Sequence, residues 1–232
     1  MTDSSFAELR ALDLFAGMAD DSFARLMRAA YVQGFPPGVE LITEGEPSDF
    51  LHVLTAGAVD LFATWEGRRS SLATVLPVST FILAATIRDA PYLMSAATLE
   101  KSRIVLIPSQ DVRRVFGEDG DFARAIVAEL AGCYRALVKA QKNLKLRSAQ
   151  ERLANLLLRL QVEAGGAAEI SLPFEKRRLA SLLGMTAENL SRTLRALRRH
   201  GVAVDGARVR ITDRAALERL ARPSPLIDDP LT

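Results

Sequence analysis

TAENLSRTLRALRRHG, residues 186–201, is the stretch of sequence that decides the fold of the C-terminal part of the chain. On a helix, residues three and four apart are neighbours, so Glu188 lies beside Ser191 and Arg192, and Arg195 follows on the same face. One acidic, one small polar and two basic side chains on a single face suit the major groove of DNA, where base edges present donors and acceptors. The stretch therefore predicts a DNA-reading helix.

A second helix is predicted immediately upstream. Residues 175–183 (EKRRLASLL) place leucines at helical spacing, and Gly184 breaks that pattern. Thr186 then supplies an N-cap for the following helix. A helix, a short glycine-containing turn and a second helix make up the helix-turn-helix pattern.

The residue types on the reading face indicate separate roles. Arg192 can donate a fork of hydrogen bonds to guanine and Glu188 can accept one from the amine of cytosine, so the two can address one G·C pair. Ser191 is small enough to let the helix approach and can reach a neighbouring base or phosphate. Further cations would contact phosphates and give affinity without sequence information. The predicted phosphate contacts are Lys176, Arg178, Arg195, Arg199 and Arg208.

A β-hairpin is predicted directly after the reading helix. Residues 202–204 and 209–211 are short runs rich in β-branched side chains, and Asp205-Gly206 between them favours a tight turn. The hairpin would form a wing that carries Arg208 and Arg210. A winged helix-turn-helix of this kind resembles the DNA-binding half of the Crp/Fnr family of bacterial regulators.

The N-terminal half has a different pattern, in which short helices precede β-structure. Residues 6–14 and 20–30 carry apolar side chains at helical spacing, with Asp20 or Asp21 as an N-cap for the second helix. Residues 32–107 form short β-rich runs separated by Pro and Gly turns, which is the spacing of a small barrel or roll. The order of these runs resembles the cyclic-nucleotide-binding β-roll of the same family.

The resemblance implies an α+β fold in three parts. We expect a β-roll sensor domain over residues 1–118, a dimerisation helix over residues 119–146 and a winged helix-turn-helix domain over residues 147–232. The tail of the last domain is expected to be disordered. Ser148 and Glu151 form a capping box that starts a new helix, which places a hinge at residues 146–148.

The dimerisation helix is predicted from an apolar stripe. Its members recur at alternating steps of four and three residues, which is the spacing of a coiled-coil seam. Such a helix needs a partner, and in this family the partner is a second copy of the chain; the alternative is that the stripe packs against its own β-roll. The predicted dimer contacts are Ile126, Leu130, Cys133, Leu137, Ala140 and Leu144.

The β-roll departs from the nucleotide-binding members of the family at the phosphate clamp. Their Gly-Glu pair aligns with Leu83-Ala84, and their Arg-Ser or Arg-Thr pair aligns with Met94-Ser95. Burying a cyclic phosphate without the arginine would cost several kcal/mol, so we expect no cyclic nucleotide. The apolar residues from 81 to 94, Leu93 among them, form either packed core or a pocket for an apolar effector. The candidate pocket comprises His52, Phe81, Leu83, Tyr92 and Met94.

Other inputs used in the family can be compared with this composition. An iron-sulfur cluster needs a set of thiolates, and Cys133 is the single cysteine, so no such cluster is expected. Haem needs an axial ligand, and the candidates in the sensor half are His52, Met94, Tyr92 and the N-terminus. For His52 the alternative is an ordinary surface or hydrogen-bonded histidine. No other metal site is expected.

Length and composition are those of an ordinary soluble globular protein that is long enough for two compact domains. The chain has 232 residues, 49% of them hydrophobic, and a net charge of +2, so DNA affinity must come from clustered cations. One cysteine, no signal-peptide pattern and no long apolar run favour a cytoplasmic protein. No catalytic constellation is present in the sequence, and we expect no enzyme activity. The rival of another class is an apolar-ligand-binding module that acts on a protein partner.

Within the family, the Glu-x-x-Ser-Arg pattern from Glu188 to Arg192 is similar to the Fnr-type reader, whose half-site is TTGAT. The resemblance implies a homodimer on a TTGAT-N4-ATCAA palindrome that works with RNA polymerase. Because the chain lacks both the cysteine set and the phosphate clamp, it is most similar to the nitric-oxide-responsive (NnrR/DNR-like) branch. That branch controls denitrification and low-oxygen respiration. A ligand-independent FixK-like regulator of the low-oxygen cascade is the alternative.

Overall fold

The computed structural model describes residues 4–172 and 175–229. They form two compact units, Met1–Cys133 and Tyr134–Thr232. The boundary between the units falls inside one long helix rather than at either of its ends. No helix in the described ranges is both long and apolar enough to span a bilayer.

The first unit is a β-roll with helices at both of its chain ends. Its strands and helices are, in chain order, α1 (Ser4–Arg10), α2 (Asp13–Ala16), α3 (Asp20–Ala29), β1 (Tyr31–Phe35), β2 (Glu40–Ile42), β3 (Phe50–Ala56), β4 (Val59–Trp65), β5 (Arg68–Val75), β6 (Ser79–Phe81), α4 (Leu83–Arg88), β7 (Ser95–Thr98), β8 (Ser102–Pro108) and α5 (Ser109–Glu118). The described strands of this unit make two four-stranded sheets, in the orders β1-β8-β3-β6 and β2-β7-β4-β5, with antiparallel pairing. The predicted N-terminal β-roll is confirmed.

Strand β3 lies at the centre of the roll because both of its faces are apolar. Leu51 and Val53 belong to a buried cluster that includes the helices, whereas Leu54 belongs to the cluster between the sheets. Since side chains alternate along a strand, His52 shares the face of Leu54 and also points between the sheets. Its imidazole contacts the ring of Phe81 on β6, with 5.1 Å between the ring centroids.

The long helix α6 (Gly120–Leu146) begins directly after Asp119, whose carboxylate accepts several backbone N–H groups. The Asp119 carboxylate accepts the backbone N–H groups of Asp121 and Phe122 at 3.1 and 3.0 Å, and that of Ala19 at 3.0 Å. The hydrogen bond from Phe122, the largest of these influences, holds the pKa of Asp119 below its usual range. One carboxylate therefore caps α6 and fixes the start of α3.

The predicted N-cap of α3 is wrong. Neither Asp20 nor Asp21 is the N-cap; Ala19 holds that position, and the acidic residues lie in the first turn. Asp20 instead pairs with Arg10 at 2.8 Å. The backbone N–H of Ala19 donates to the carboxylate of Asp119, which is 100 residues away along the chain. Among the described residues, no side chain near α3 in sequence makes this hydrogen bond.

The second unit contains the end of α6 and a winged helix-turn-helix. Its further elements are α7 (Ala149–Glu163), β9 (Glu169–Ser171), α8 (Lys176–Leu182), α9 (Ala187–Leu197), a 3₁₀ turn (Arg198–His200), β10 (Val202–Asp205), β11 (Arg208–Ile211), α10 (Arg214–Ala221) and α11 (Pro225–Asp228). The predicted capping box is confirmed, since the Ser148 and Glu151 side chains each accept the other's backbone N–H. The predicted hairpin is also confirmed, with Asp205 opposite Arg208.

Two features of this unit differ from the expectations. Strand β9 pairs with β11, so that the described part of the wing is a three-stranded sheet of order β10-β11-β9. The C-terminal tail was expected to be disordered, but Pro225–Asp228 is helical and Asp228 pairs with Arg147 at 2.6 Å. The residues beyond Asp229 lie outside the described ranges.

Candidate nucleic-acid interface

Helix α9 has one buried and one exposed face. Leu190, Leu194 and Leu197 pack into the core of the second unit, whereas Glu188 and Arg192 are exposed. The apolar stripe fixes which face is outward, and the predicted reading face is that outward face. Arg195 is exposed on it as well.

The start of α9 is fixed by local hydrogen bonds. The Thr186 hydroxyl oxygen accepts the backbone N–H of Asn189 at 3.1 Å, which confirms Thr186 as the N-cap. Ser191 is half-buried, and its hydroxyl donates to the Ala187 carbonyl at 3.0 Å. The proton of Ser191 is therefore held by the helix, and its oxygen lone pairs remain able to accept from a base or a water.

The turn before α9 lies close against the last turn of α6. Gly184 has a φ of +62°, and a Cβ added there would lie 2.5 Å from Leu144 Cδ2. Both the left-handed backbone and the missing side chain are required at this position. Leu144, predicted as a dimer contact, is 44% exposed and lies against this turn.

A cleft of about 580 Å³ borders the reading face. The cleft brings to the reading face a residue that the sequence interpretation did not include, Gln150 of α7. Gln150 is more than 30 residues away along the chain from the other lining residues, which belong to α9 and the turn before it. Polar side chains of this cleft, among them Gln150 and Asn189, lie beside Arg192. The lining residues are Gln150, Met185, Thr186, Asn189, Arg192, Thr193 and Ala196.

The predicted phosphate-binding cations lie on several elements of the unit. Lys176 is exposed at the start of α8, whereas Arg178 is half-buried on the same helix. Arg195 and Arg199 are exposed on α9 and in the turn after it, and Arg199 Nε donates to His200 Nε2 at 3.2 Å. Arg208 is exposed on the wing.

An acidic residue on β9 faces the cations of the wing. Glu169 pairs with Arg210 at 2.9 Å and with Arg208 at 3.8 Å. The sequence interpretation missed this carboxylate because it missed β9. The pairs are largely solvent-exposed, so they weaken the cationic field of the wing without contributing much to stability.

The candidate effector pocket is only partly assembled. His52, Phe81 and Tyr92 are buried at or within the cluster between the sheets. Leu83 is buried in the other cluster, on the helix side, and Met94 is half-buried. Leu93 is 81% exposed, so its predicted place in the apolar lining is wrong. Leu93 lies in a bend between Tyr92, which is buried, and β7, and its side chain faces solvent there.

His52 is an unusual group in this interior. Burial lowers its pKa to about 4, against a smaller opposing effect of a hydrogen bond to Phe50, so the imidazole is neutral at physiological pH. Its Nδ1 atom is buried and has no hydrogen-bond partner. A buried polar atom without a partner costs free energy, and such an atom often marks a ligand contact.

Leu83 and Ser95, two positions predicted to align with the phosphate clamp, have structural roles in this chain. Leu83 is 4% exposed and packs with the helices. The Ser95 hydroxyl oxygen accepts the backbone N–H of Glu44 at 2.9 Å and so ties β7 to the loop after β2. Within the described residues, no group of three or more His, Cys, Asp and Glu could hold a metal ion.

The apolar side chains that α6 exposes are only partly those predicted as dimer contacts. Ile126 is fully buried against the roll, and Leu130 packs against the same cluster, so the prediction of Ile126 as a dimer contact is wrong. The cause is Phe122, one helical turn earlier, which directs this side of the helix into the core. Val127 beside it is 61% exposed.

In the second half of α6 the exposed side chains include apolar ones. Tyr134 and Leu137 are 69% and 66% exposed, and Val138 is 41% exposed. They line a groove of about 510 Å³ with the neighbouring residues of the same helix. Cys133 and Ala140 are exposed as well. Tyr134 and Val138 were not among the predicted dimer contacts.

A β-roll, followed by a long helix and a winged helix-turn-helix with an outward face that carries arginines, defines a two-domain DNA-binding regulator. Residues 151–220 match the family model for the Crp-like helix-turn-helix domain. Residues 32–119 match the model for the cyclic nucleotide-binding domain. The chain belongs to the Crp/Fnr family of transcription regulators, whose members bind DNA and commonly act as dimers.

Similar proteins support this assignment over most of the chain. It is 25% identical over 215 residues to the CRP-like cAMP-activated global transcriptional regulator of Mycobacterium tuberculosis, covering 90% of this chain and 96% of that protein. It is 28% identical over 223 residues to the nitrogen fixation regulation protein FixK of Azorhizobium caulinodans, covering 90% and 88%. The structure of FixK2 from Bradyrhizobium japonicum matches with a TM-score of 0.70 and 24% identity, over 84% of this chain and 98% of that one.

Replacing Glu169 by Gln should strengthen DNA binding without changing sequence preference. The change removes the charge that faces Arg208 and Arg210, and pairs this exposed are worth a fraction of a kcal/mol, so we expect about two- to fivefold tighter binding to specific and scrambled duplexes alike. Fluorescence anisotropy at several salt concentrations measures this. Glu163→Gln is the control, since Glu163 pairs with Arg159 of its own helix. Equal affinities of the two variants would contradict a role of Glu169 in the wing.

Proposed function

We propose that this protein is a homodimeric regulator that reads TTGAT-N4-ATCAA palindromes and controls genes of denitrification or low-oxygen respiration together with RNA polymerase. The observation that carries the proposal is the outward face of α9, where Glu188 and Arg192 are exposed on either side of Ser191. The half-site TTGAT contains one G·C pair. An arginine and a glutamate one turn apart match the acceptors of that guanine and the donor of its cytosine.

The second half of α6 supports the homodimer. Tyr134, Leu137 and Val138 are large apolar side chains exposed on one helix, and a second copy would bury them. Two copies related by a two-fold axis present the same face to each other, and they place two reading helices on a palindrome. The proposed interface therefore uses the exposed stripe of the helix and excludes Ile126.

The input to the β-roll is proposed to be nitric oxide, received through haem. The imidazole of His52 is neutral and buried beside Phe81, and its Nδ1 has no partner among the described residues, so it would be able to bind the iron of a haem in an apolar surrounding. Bound haem would supply an iron centre that takes up nitric oxide. His52 would hold the group, and the apolar side chains between the sheets would exclude water.

Cyclic nucleotide is not the proposed effector. The Mycobacterium tuberculosis relative is named as a cAMP-activated regulator. In this chain the clamp positions carry Leu83 and Met94, neither of which can pair with a phosphate, and the Ser95 hydroxyl already accepts a backbone N–H. An anion brought into this interior would lack a compensating charge at those positions.

A ligand-independent mode is the second candidate. It is favoured by the FixK protein of Azorhizobium caulinodans and by the FixK2 structure, which match along most of the chain. In this mode the roll serves as a packed support for the dimer helix, and the cellular level of the protein sets its activity. The two modes differ in whether the purified protein responds to haem and nitric oxide.

Arg192→Ala and Arg199→Ala should have different effects on DNA binding. Loss of Arg192 should lower the discrimination between TTGAT and a half-site with a changed G·C pair by roughly 1–3 kcal/mol. Loss of Arg199 should weaken binding to every sequence alike and reduce the salt dependence by about one phosphate contact. Anisotropy titrations on the palindrome and on a scrambled duplex give both quantities. Indistinguishable behaviour of the two variants would refute the assigned roles, and equal binding of the parent protein to both duplexes would refute specific reading.

Leu137→Glu should convert the dimer into a monomer. A charge at an exposed apolar position leaves the monomer fold intact but would be buried in the proposed interface, at a cost of several kcal/mol. Analytical ultracentrifugation measures the change in mass. Ala136→Glu is the matched control, because it places the same charge at the neighbouring exposed position, which faces away from Leu137 on the helix. A Leu137→Glu protein that remains dimeric would rule out this interface.

The haem input predicts a visible spectrum. Protein purified without oxygen and supplied with haem should show a Soret band that shifts on addition of nitric oxide. His52→Ala should lose or alter that spectrum, whereas His200→Ala, which changes the other histidine of the chain, should keep it. A parent protein that binds no haem would exclude this input and leave the ligand-independent mode.

A further inference from the structure

The C-terminal segment of the chain binds the end of α6 through its own polar groups. Both Asp228 carboxylate oxygens accept from Arg147, each at 2.6 Å. Lys139 Nζ donates to the Asp229 carbonyl at 2.6 Å, and Lys142 Nζ donates to the Leu226 carbonyl at 3.3 Å. The contact thus runs along two turns of α6.

Arg147 is the centre of this contact. Its side chain is 7% exposed, whereas that of Asp228 is 29% exposed. A buried guanidinium needs acceptors, and besides Asp228 it reaches only longer contacts, to Asn143 Oδ1 at 3.2 Å and to the Arg222 carbonyl at 3.5 Å. Burial raises the pKa of Asp228, but the hydrogen bonds from Arg147 and Ser224 outweigh it and the pKa falls below its usual range. The pair is therefore ionised and bidentate, which is the strong form of this contact.

The same residue lies at the junction between α6 and α7. The Arg147 carbonyl accepts from Arg152 Nη1 at 2.7 Å. Arg152 Nε donates in turn to the Leu183 carbonyl at 2.8 Å, in the turn that precedes the reading helix. Hydrogen bonds therefore lead from the C-terminal segment through the junction to that turn.

We propose that residues 223–229, here named the strap, lock the junction between α6 and α7 and so fix the orientation in which α9 is presented relative to the end of α6. A two-fold reader needs this orientation, because a swing of either reading helix changes the distance between the two half-site contacts. Fixing it in advance removes an ordering cost from binding. This part of the inference rests on the proposed dimer.

The strap is built to be released more easily than the core. It is held by the Arg147–Asp228 ion pair and by lysine-to-carbonyl hydrogen bonds, and Leu226 is 62% exposed. Segments with few buried apolar contacts open at low free energy. Anything that competes for the strap would unlock the junction without unfolding the DNA-binding core.

Asp228→Asn in the full-length protein tests the strap. The substitution keeps the shape but leaves Arg147 without its charged partner, and we expect backbone amides at residues 143–148 to exchange with solvent about tenfold faster or more. Amides of α9 should be unchanged. Affinity for the two-half-site duplex should fall about tenfold, because the unlocked junction must then be ordered on binding. A tenfold loss corresponds to an ordering cost of about 1.4 kcal/mol. Affinity for a single half-site should stay within about twofold. Asp49→Asn, an exposed aspartate of the first unit, is the control.

A second variant protects the test against a folding defect. Arg147→Met combined with truncation after Arg222 removes the strap and the charge that it neutralises, so no unpaired buried ion remains. It should show the same faster exchange and the same selective loss on the two-half-site duplex. Parent-like exchange at residues 143–148 in both variants would overturn the proposal, as would equal losses on both duplexes. A parent protein without preference for the two-half-site duplex would refute the dimeric reader, and the exchange measurement would still decide whether the strap locks the junction.

Discussion

The guanidinium of Arg152 is the constraint on which the DNA-binding unit depends. It donates to carbonyls of the junction and of the turn before α9, at 2.7 Å to Arg147 and 2.8 Å to Leu183. Burial lowers the pKa of Arg152 from its usual value, yet an arginine stays charged, so these carbonyls face a permanent cation. Gly184 lets the same turn approach α6. The end of α6 and the reading helix are therefore held through one short stretch of backbone.

Specificity and affinity are assigned to different parts of this unit. The reading face of α9 is exposed, and the buried leucine stripe on the opposite side of the helix sets the direction in which it points. The wing carries cations whose field is reduced by Glu169. With a net charge of only +2 on the whole chain, this arrangement limits non-specific attraction to DNA, and in the proposed function Glu188 and Arg192 supply the discrimination.

The β-roll has an apolar interior, and Nδ1 of His52 lies in it without a hydrogen-bond partner among the described residues. Nδ1 of His52 is buried, and the low pKa of the side chain keeps it neutral. At the two positions that the sequence comparison predicted to align with a phosphate clamp, Leu83 packs in the buried cluster on the helix side and Ser95 attaches β7 to the loop after β2. The roll therefore offers an acceptor or a donor to a neutral ligand and offers no charge at those positions to an anion.

The sequence by itself determined the features that arise from local periodicity and capping. The leucine stripe placed α9, Thr186 and Ser148 placed two helix starts, and Asp205-Gly206 placed the hairpin, because each depends on neighbours within a few residues. Only the tertiary structure decided which apolar side chains are covered. Ile126 is buried and Tyr134 exposed, β9 joins the wing, and Asp228 reaches Arg147. These outcomes depend on contacts between residues far apart in the chain, which periodicity does not record.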